Sequence, residues 1–327
     1  MNRKIRVLHY IDKFPVLSET FVRDLIRSLD HTCENLIVSK TIMPRVSTEG
    51  FNVKPVGGRV LRFSSALITR INNLTGLDIN IPISKEWARY IEEFKPDIIH
   101  AHFGWTIIEL SAMLSSLKSQ IPVLVSLHGT DTMRMPLKSS YYKNQVIMFQ
   151  KKHKAEFTVP SEYLKEIAEK NFKGLTPAVI GNSFSDIFLN TNDASIRKDK
   201  TFRIINVGRF VSVKGQKFLI QGFSDFIKAN DVSSELILVG YGPHKDGLKS
   251  VACKLGIENK VRFIDKLPHA ELPALFQSCD LYVQPSITCE KNNTAESFGV
   301  VILEAIAAGL SVVVTNSGGI PEVVLNG

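Results

Sequence analysis

Glu296 and Glu304 stand eight residues apart in AESFGVVILEAIAAGLSVVVTNSGGIPE, residues 295–322, with small and apolar residues between them. Eight helical steps advance a chain by about 12 Å, a span that suits a diphosphate joining a sugar to a ribose. One carboxylate could then accept hydroxyls at each end of a nucleotide-sugar. The middle of such a ligand is doubly negative, and a helix start offers unpaired amides and the positive end of its dipole. The first turn is expected at Phe298, Gly299, Val300 and Val301, with Gly299 allowing close approach. An ordinary amphipathic helix would also account for Val301, Leu303, Ala305, Ile306 and Ala308. What makes the stretch specific is the strand that follows, which delivers Gly318 and Gly319 to a turn beside the same helix end.

A second group lies in INVGRFVSVKG, residues 205–215, a buried strand running into a loop with Arg209 and Lys214. Alone, such cations read as solvated surface; in a dry cleft they could meet the charge of a departing diphosphate without a metal. HAHFG (100–104) and SLHGTD (126–131) place His102, His128 and Asp131 at strand carboxyl ends. A lone histidine there is commonly structural, and two on neighbouring strands point toward a site. FPVLSETFV (14–22) follows the first strand: Pro15 stiffens the loop, Ser18 is expected to cap a helix beginning at Glu19, and Phe21 packs inward.

Together these motifs resemble the donor-binding signature of retaining glycosyltransferase family 4, the group 1 glycosyltransferases of GT-B fold. FPVLSETFV is similar to the FPxLSETF signature of its exopolysaccharide, colanic-acid-type subgroup. The resemblance implies that Glu296 contacts the donor sugar, Glu304 holds the ribose, and Arg209 and Lys214 grip the diphosphate. It places amides near Gly318 and Gly319 close to the sugar and carries the histidine of an HG motif, at the reaction centre, to His128. His128 and Glu296 are thus the expected catalytic residues; Phe298, Gly299 and Val300 join the donor-binding set. Ser18, Glu19, His102 and Asp131 are acceptor-side candidates, His102 and Asp131 also fitting a supporting role. VGYGP (239–243) resembles the family's strand-end glycine turn, where Gly240 and Gly242 let backbone approach ligand. CDLYVQPS (279–286) resembles the strand before the donor loop. The family pattern continues beyond IPEVVLNG, so the resemblance implies a C-terminally shortened chain whose activity is open.

The elements that must position these residues are two series of short apolar strands alternating with helical stretches. RVLHYI, ENLIVSK, VLRF, DIIHAHF, VLVSLHG, FTVPS and AVIGN form the first; FRIINVG, ELILVGYG, VRFID, LYVQPS and SVVVTN form the second. Near-continuous apolar strands argue parallel sheets covered on both faces. The expected fold is α/β: GT-B, two Rossmann-like parallel-sheet domains facing a cleft. Residues 1–189 would be the acceptor-side domain, 190–200 a polar linker and 201–327 the nucleotide-sugar domain.

Composition agrees with two soluble domains: 327 residues exceed what one core usually organises, and 44% are hydrophobic. No run is long and apolar enough to span a bilayer, and the start, MNRKIRVLHYIDKF, lacks a secretory apolar core. Cys33, Cys253, Cys279 and Cys289 are scattered without metal or disulfide spacing, which fits a reducing cytoplasm. The net charge of +8 lies in the first 200 residues, with 28 Lys plus Arg against 20 Asp plus Glu; residues 201–327 hold 12 against 12. An anionic partner is implied there. No nucleic-acid motif is present, whereas KSSYYKNQVIMFQKKHK (138–154) would suit an anionic membrane surface at the inner face of the plasma membrane. A helix with a basic solvated face and a buried apolar face would look the same.

The resulting expectation is a retaining, metal-independent glycosyltransferase. Its donor is a UDP-, GDP- or ADP-sugar and its acceptor a lipid-linked saccharide of exopolysaccharide or surface polysaccharide synthesis. No cofactor is called for, and no D-x-D sequence occurs to bridge a metal. The alternatives are a catalytically silent GT-B subunit binding at the membrane and a nucleotide-sugar epimerase. A dinucleotide dehydrogenase is disfavoured, since no G-x-G-x-x-G follows a first strand.

Overall fold

The apolar runs become strands of two parallel sheets. The computed structural model describes residues 3–324 except 17, 45, 46, 76, 78, 80–84, 190–198, 266, 291 and 292. Its contacts group the chain into two compact units, Met1–Gly181 and Asn182–Gly327. Most of the segment expected as a linker lies outside the described residues.

The first unit carries β1 (Ile5–Phe14), β2 (Cys33–Ile42), β3 (Val53–Pro55), β4 (Ile98–His102), β5 (Val123–Ser126), β6 (Ala155–Val159) and β7 (Ala178–Val179). They form one sheet in the order β3-β2-β1-β4-β5-β6-β7, every pair parallel. Leu8, Tyr10, Val38, Ile99, Ala101 and Val125 are fully enclosed, as expected of strands sandwiched between helices. Each large aliphatic side chain so enclosed contributes about 1.5–3 kcal/mol.

The second unit carries β8 (Phe202–Val207), β9 (Ser234–Val239), β10 (Val261–Ile264), β11 (Leu281–Gln284) and β12 (Ser311–Val314). Their order is β10-β9-β8-β11-β12, again all parallel. Its core joins Ile205, Ile237, Tyr282, Ile302 and Ala305 with Phe188, which enters beside Phe276 from the chain ahead of β8. In each sheet the strand order reverses once, between β1 and β4 and between β8 and β11. Crevices for ligands open at the carboxyl ends of such strand pairs.

Two expectations are corrected here. VLRF is not a strand: it lies inside the helix Arg59–Thr75, and the third strand is Val53–Pro55. A four-residue apolar run carries no period of its own, and the helical register of the longer segment decides. Ser18 does not cap the first helix, which runs Thr20–Ser28 with Glu19 as its N-cap and without a side-chain cap bond.

Candidate functional site

In the second unit, β8 runs into the loop 208–211, the 3-10 turn Ser212–Lys214 and the helix Gln216–Ala229. Phe210 donates its N–H to the Tyr241 carbonyl at 2.8 Å, and Gln216 Nε2 donates to the Arg209 carbonyl at 3.1 Å. The main chain around Arg209 is therefore fixed, while its exposed guanidinium has no partner among the described residues. Gly240 and Gly242 permit this arrangement, since a Cβ on either would overlap the carbonyl oxygen of Gly208 or Phe210. The close approach expected between this glycine turn and a ligand is made to the β8 loop instead.

Lys214 turns the other way. Its Nζ donates to Glu296 Oε2 at 2.5 Å, with both side chains largely covered (16% and 14% exposed). Two further groups meet the same oxygen: Gln284 Nε2 and Ser286 Oγ, each at 3.3 Å, from the end of β11 and the residues after it. Glu296 Oε1 has no partner among the described residues. The Glu296 main chain is held by the glycine pair: Gly319 donates its N–H to the Glu296 carbonyl at 2.9 Å. Gly318, at φ +60°, sits so close that a Cβ would overlap that carbonyl oxygen. The Gly319 amide, expected near a sugar, is thus spent on Glu296.

The following helix spans Val300–Ala307, and its N-cap Gly299 has φ 102°. Phe298 and Gly299 therefore precede the first turn rather than forming it. Only the second half of the Glu296-to-Glu304 interval is helical, because a left-handed residue at 299 ends the non-helical entry. Glu304 is 2% exposed, and its Oε1 receives His269 Nε2 at 2.9 Å. The buried Tyr282 phenol is pushed well above its usual range by burial and then by the charges of both Glu296 and Glu304. Both carboxylates thus lie within electrostatic reach of one ring at the β11 end of the sheet. Arg209 and Lys214 share the neighbouring loop. This arrangement can neutralise a diphosphate and accept hydroxyls at two separate carboxylates.

In the first unit, β1 and β4 pair with His9 opposite His100, so these two residues and His102 share one sheet face. The Asn35 amide nitrogen donates to Asp30 Oδ1 at 2.7 Å, which turns its oxygen toward His9 Nε2 at 3.1 Å. His9 then carries its proton on Nε2, and its Nδ1 accepts from His102 Nε2 at 3.2 Å. His102 Nδ1 is left buried without a partner. Burial lowers the His9 pKa to about 4 and drives His100 and His102 well below their usual value. Ring nitrogens of these three histidines lie within 4.8 Å of one another, a spacing a transition-metal ion could use; two of them already share a hydrogen bond.

His128 follows β5 and lies among the rings of Phe21, Phe103 and His102, at centroid distances of 4.8, 4.7 and 6.1 Å. Burial lowers its pKa to about 3, and neither ring nitrogen has a partner among the described residues. Asp131, fully enclosed, accepts main-chain N–H groups of Gly104 (2.9 Å), His128 (3.0 Å) and Gly129 (2.8 Å). Its carboxylate ties together the loops after β4 and β5. Phe103, between them, has φ 70°, a conformation that costs about 1–3 kcal/mol and tends to occur at functional sites. His102 is buried at the end of β4, Ser18 is exposed, and Glu19 is half-buried at the first helix start.

Sequence reasoning did not single out His269, Gln284, Ser286, His9 or Phe103. Gln284 and Ser286 lie inside the CDLYVQPS motif and Phe103 inside HAHFG; His269 and His9 carry no local spacing signal.

The profile "Glycosyl transferases group 1" matches residues 190–327. An uncharacterized glycosyltransferase of Methanocaldococcus jannaschii is 29% identical over 249 residues, covering 70% of this chain and 60% of that protein. A GDP-mannose-dependent alpha-(1-6)-phosphatidylinositol monomannoside mannosyltransferase of Mycolicibacterium smegmatis is 36% identical over 124 residues, 38% of this chain and 32% of the relative. The chain thus matches less than two thirds of the length of either relative. Among solved structures, Anabaena Alr3699/HepE in complex with UDP and glucose shares the fold, with TM-score 0.73 and 20% identity over 99% of this chain and 84% of that one. The profile "Glycosyltransferase Family 4" matches residues 18–183, just over half of the 327 residues, and the chain belongs to that family.

Proposed function

We propose that this chain transfers a sugar from a nucleoside-diphosphate donor to an acceptor hydroxyl with retention of anomeric configuration. The carrying observation is that Lys214 and Glu296, far apart in sequence, meet at 2.5 Å beside the helix Val300–Ala307 at the point where the sheet order reverses. In this reading Arg209, Lys214 and the amides at Val300 hold the diphosphate and take up its charge as the glycosidic bond breaks. Glu296 Oε1 accepts a hydroxyl of the sugar and Glu304 one of the ribose. His128, neutral and with both ring nitrogens unspent, supplies hydrogen bonds at the reaction centre. Glu19 and His102 belong to the acceptor side in this reading.

UDP-, GDP- and ADP-sugars are all admitted by these contacts. The Anabaena structure was solved with UDP and glucose, and the mycobacterial relative is named for GDP-mannose. A lipid-linked saccharide of surface polysaccharide synthesis is the acceptor the FPVLSETFV motif favours. The mycobacterial relative's name specifies a phosphatidylinositol mannoside, also lipid-borne. Among the described residues no helix is long and apolar enough to cross a membrane. The aromatic residues of segment 138–154 face inward, with Tyr141, Tyr142 and Phe149 buried, while Lys138, Lys151, Lys152, Lys154 and Met148 are exposed. That leaves a basic surface for anionic headgroups at the cytoplasmic face of the membrane.

Release of nucleoside diphosphate from a panel of donors, with and without lipid-linked acceptor, tests the reaction. Acceptor-dependent release that persists in EDTA is expected. Release abolished by chelator and restored by manganese would overturn the metal-independent site. Low-salt pelleting with vesicles containing anionic lipid tests the surface, and absence of pelleting refutes it.

A further inference from the structure

Burying a carboxylate is costly unless it is paired or hydrogen-bonded. Glu304 is 2% exposed in a helix whose neighbours Ile302 and Ala305 belong to the apolar core of the second unit. Among the described residues its carboxylate has one hydrogen-bond partner, and that partner is neither lysine nor arginine. It is His269, whose Nε2 reaches Oε1 at 2.9 Å from the 3-10 turn His269–Glu271 that follows β10. The histidine is itself held: its ring meets the edge of Phe188 at 5.2 Å and 66°, and its side chain is 17% exposed. Phe188 in turn packs on Phe276 in the same core. An enclosed aromatic stack thus fixes the imidazole, and the imidazole fixes one oxygen of the carboxylate.

We propose that His269 is a positioning residue for nucleoside recognition: it engages Oε1 of Glu304 and leaves Oε2 to accept a ribose hydroxyl. The proposal rests on the assignment of Glu304 to the ribose made above. Without the imidazole, the buried carboxylate is left with no donor among the described residues, and nothing holds it toward a ribose hydroxyl. The acceptor that distinguishes a ribose from a deoxyribose is then lost. The side chain at 269 thereby sets sugar discrimination in the nucleoside without touching the ligand.

The test compares dissociation constants by isothermal titration calorimetry for uridine, guanosine and adenosine diphosphates and for their 2′-deoxy and 3′-deoxy forms. A ratio of constants is insensitive to a general loss of stability, so a merely structural histidine leaves it unchanged. In the unaltered protein the ribose form of the bound nucleotide is expected to bind about tenfold more tightly or better, the worth of a hydrogen bond to a charged acceptor. In His269→Leu the ratio falls to about twofold or less. His269→Asn, whose amide is too short to reach Oε1, gives the same collapse if the leucine variant does not fold. His269→Gln, which carries a donor at the reach of Nε2, recovers most of the discrimination. A ratio unchanged in His269→Leu or His269→Asn while Glu304→Gln abolishes it overturns this proposal and leaves the assignment of Glu304 standing. A ratio unchanged in Glu304→Gln removes that assignment, and the role of His269 falls with it.

Discussion

Replacing Glu296 by glutamine should act differently on two kinds of ligand, the bare nucleoside diphosphate and the sugar-bearing donor. The Lys214 ammonium is held at 2.5 Å by Glu296 Oε2, with 16% and 14% of the two side chains exposed. A nucleoside diphosphate that draws Lys214 to its phosphates must break this bond. A hydrogen bond to a charged group contributes about 1.5–3 kcal/mol and a neutral one about 0.5–1.5. The glutamine variant keeps an ammonium-to-amide hydrogen bond but loses the opposite charge, so the ligand gives up about 1–1.5 kcal/mol less. Nucleoside diphosphate should then bind Glu296→Gln about five to twelve times more tightly than the unaltered protein. The sugar-bearing donor gains the same release but loses the carboxylate that accepts its hydroxyl, and its advantage over the bare diphosphate should disappear. Calorimetric titration of both ligands at one fixed ionic strength reads both effects, with Lys214→Met, which weakens both ligands, as control. Diphosphate binding no tighter in Glu296→Gln would mean that Lys214 never leaves the carboxylate, and the counter-ion exchange would have to be abandoned.

Gly318→Ala should displace the Glu296 main chain, since residue 318 has φ +60° and a side chain would overlap the Glu296 carbonyl oxygen. The left-handed conformation alone costs about 1–2 kcal/mol, so a melting temperature lower by several degrees and lost donor binding are expected, and calorimetry showing neither would count against the packing. His128→Phe should raise stability by about 1 kcal/mol or more while abolishing turnover, because two buried ring nitrogens without partners are removed; urea unfolding beside a transfer assay checks it. The first unit should lose stability as the pH falls below 6.5, where unfolded histidines take up protons. The folded state resists, with His9 at about 4, His128 at about 3, and His100 and His102 held well below their usual value by burial. The loss is about 1 kcal/mol or more for each of His9 and His128 between pH 7.5 and 5.5, with His100 and His102 acting in the same direction; a full pH unit or more above 6.5 nearly all are neutral in both states and no loss is expected. Equal urea midpoints at pH 7.5 and 5.5 would contradict it.

What the chain discloses before folding is its strands and the loops that end them. The apolar runs around β1, β4, β5, β8 and β11 leave few alternatives, and the residues placed at their carboxyl ends, His102, His128, Arg209 and Lys214, are found there. Side-chain commitments are a different matter. Asp131 reads equally as an acceptor-side candidate or a support; three main-chain amides occupy it, and amides leave no trace in residue type. His269 is invisible for a related reason: a single histidine in PHAEL has no periodicity, and the carboxylate it meets is thirty-five residues away. The helix start was misplaced because glycine at 299 permits both a helical first turn and the left-handed entry that the chain adopts. VLRF was misread because four apolar residues fit either period.

The acid at position 131 draws chiefly on peptide groups, the N–H groups of Gly104, His128 and Gly129, with the Thr132 hydroxyl at 3.4 Å as its one side-chain donor. Side chain and loop shape are thereby uncoupled at position 128, while Gly104, whose Cβ would overlap Tyr142 Oη, and Gly129, at φ 138°, call for glycine. A change of the exposed Thr130 side chain therefore leaves the clasp in place, whereas Trp105, stacked on Phe103 at 4.6 Å, is part of the packing of its loop.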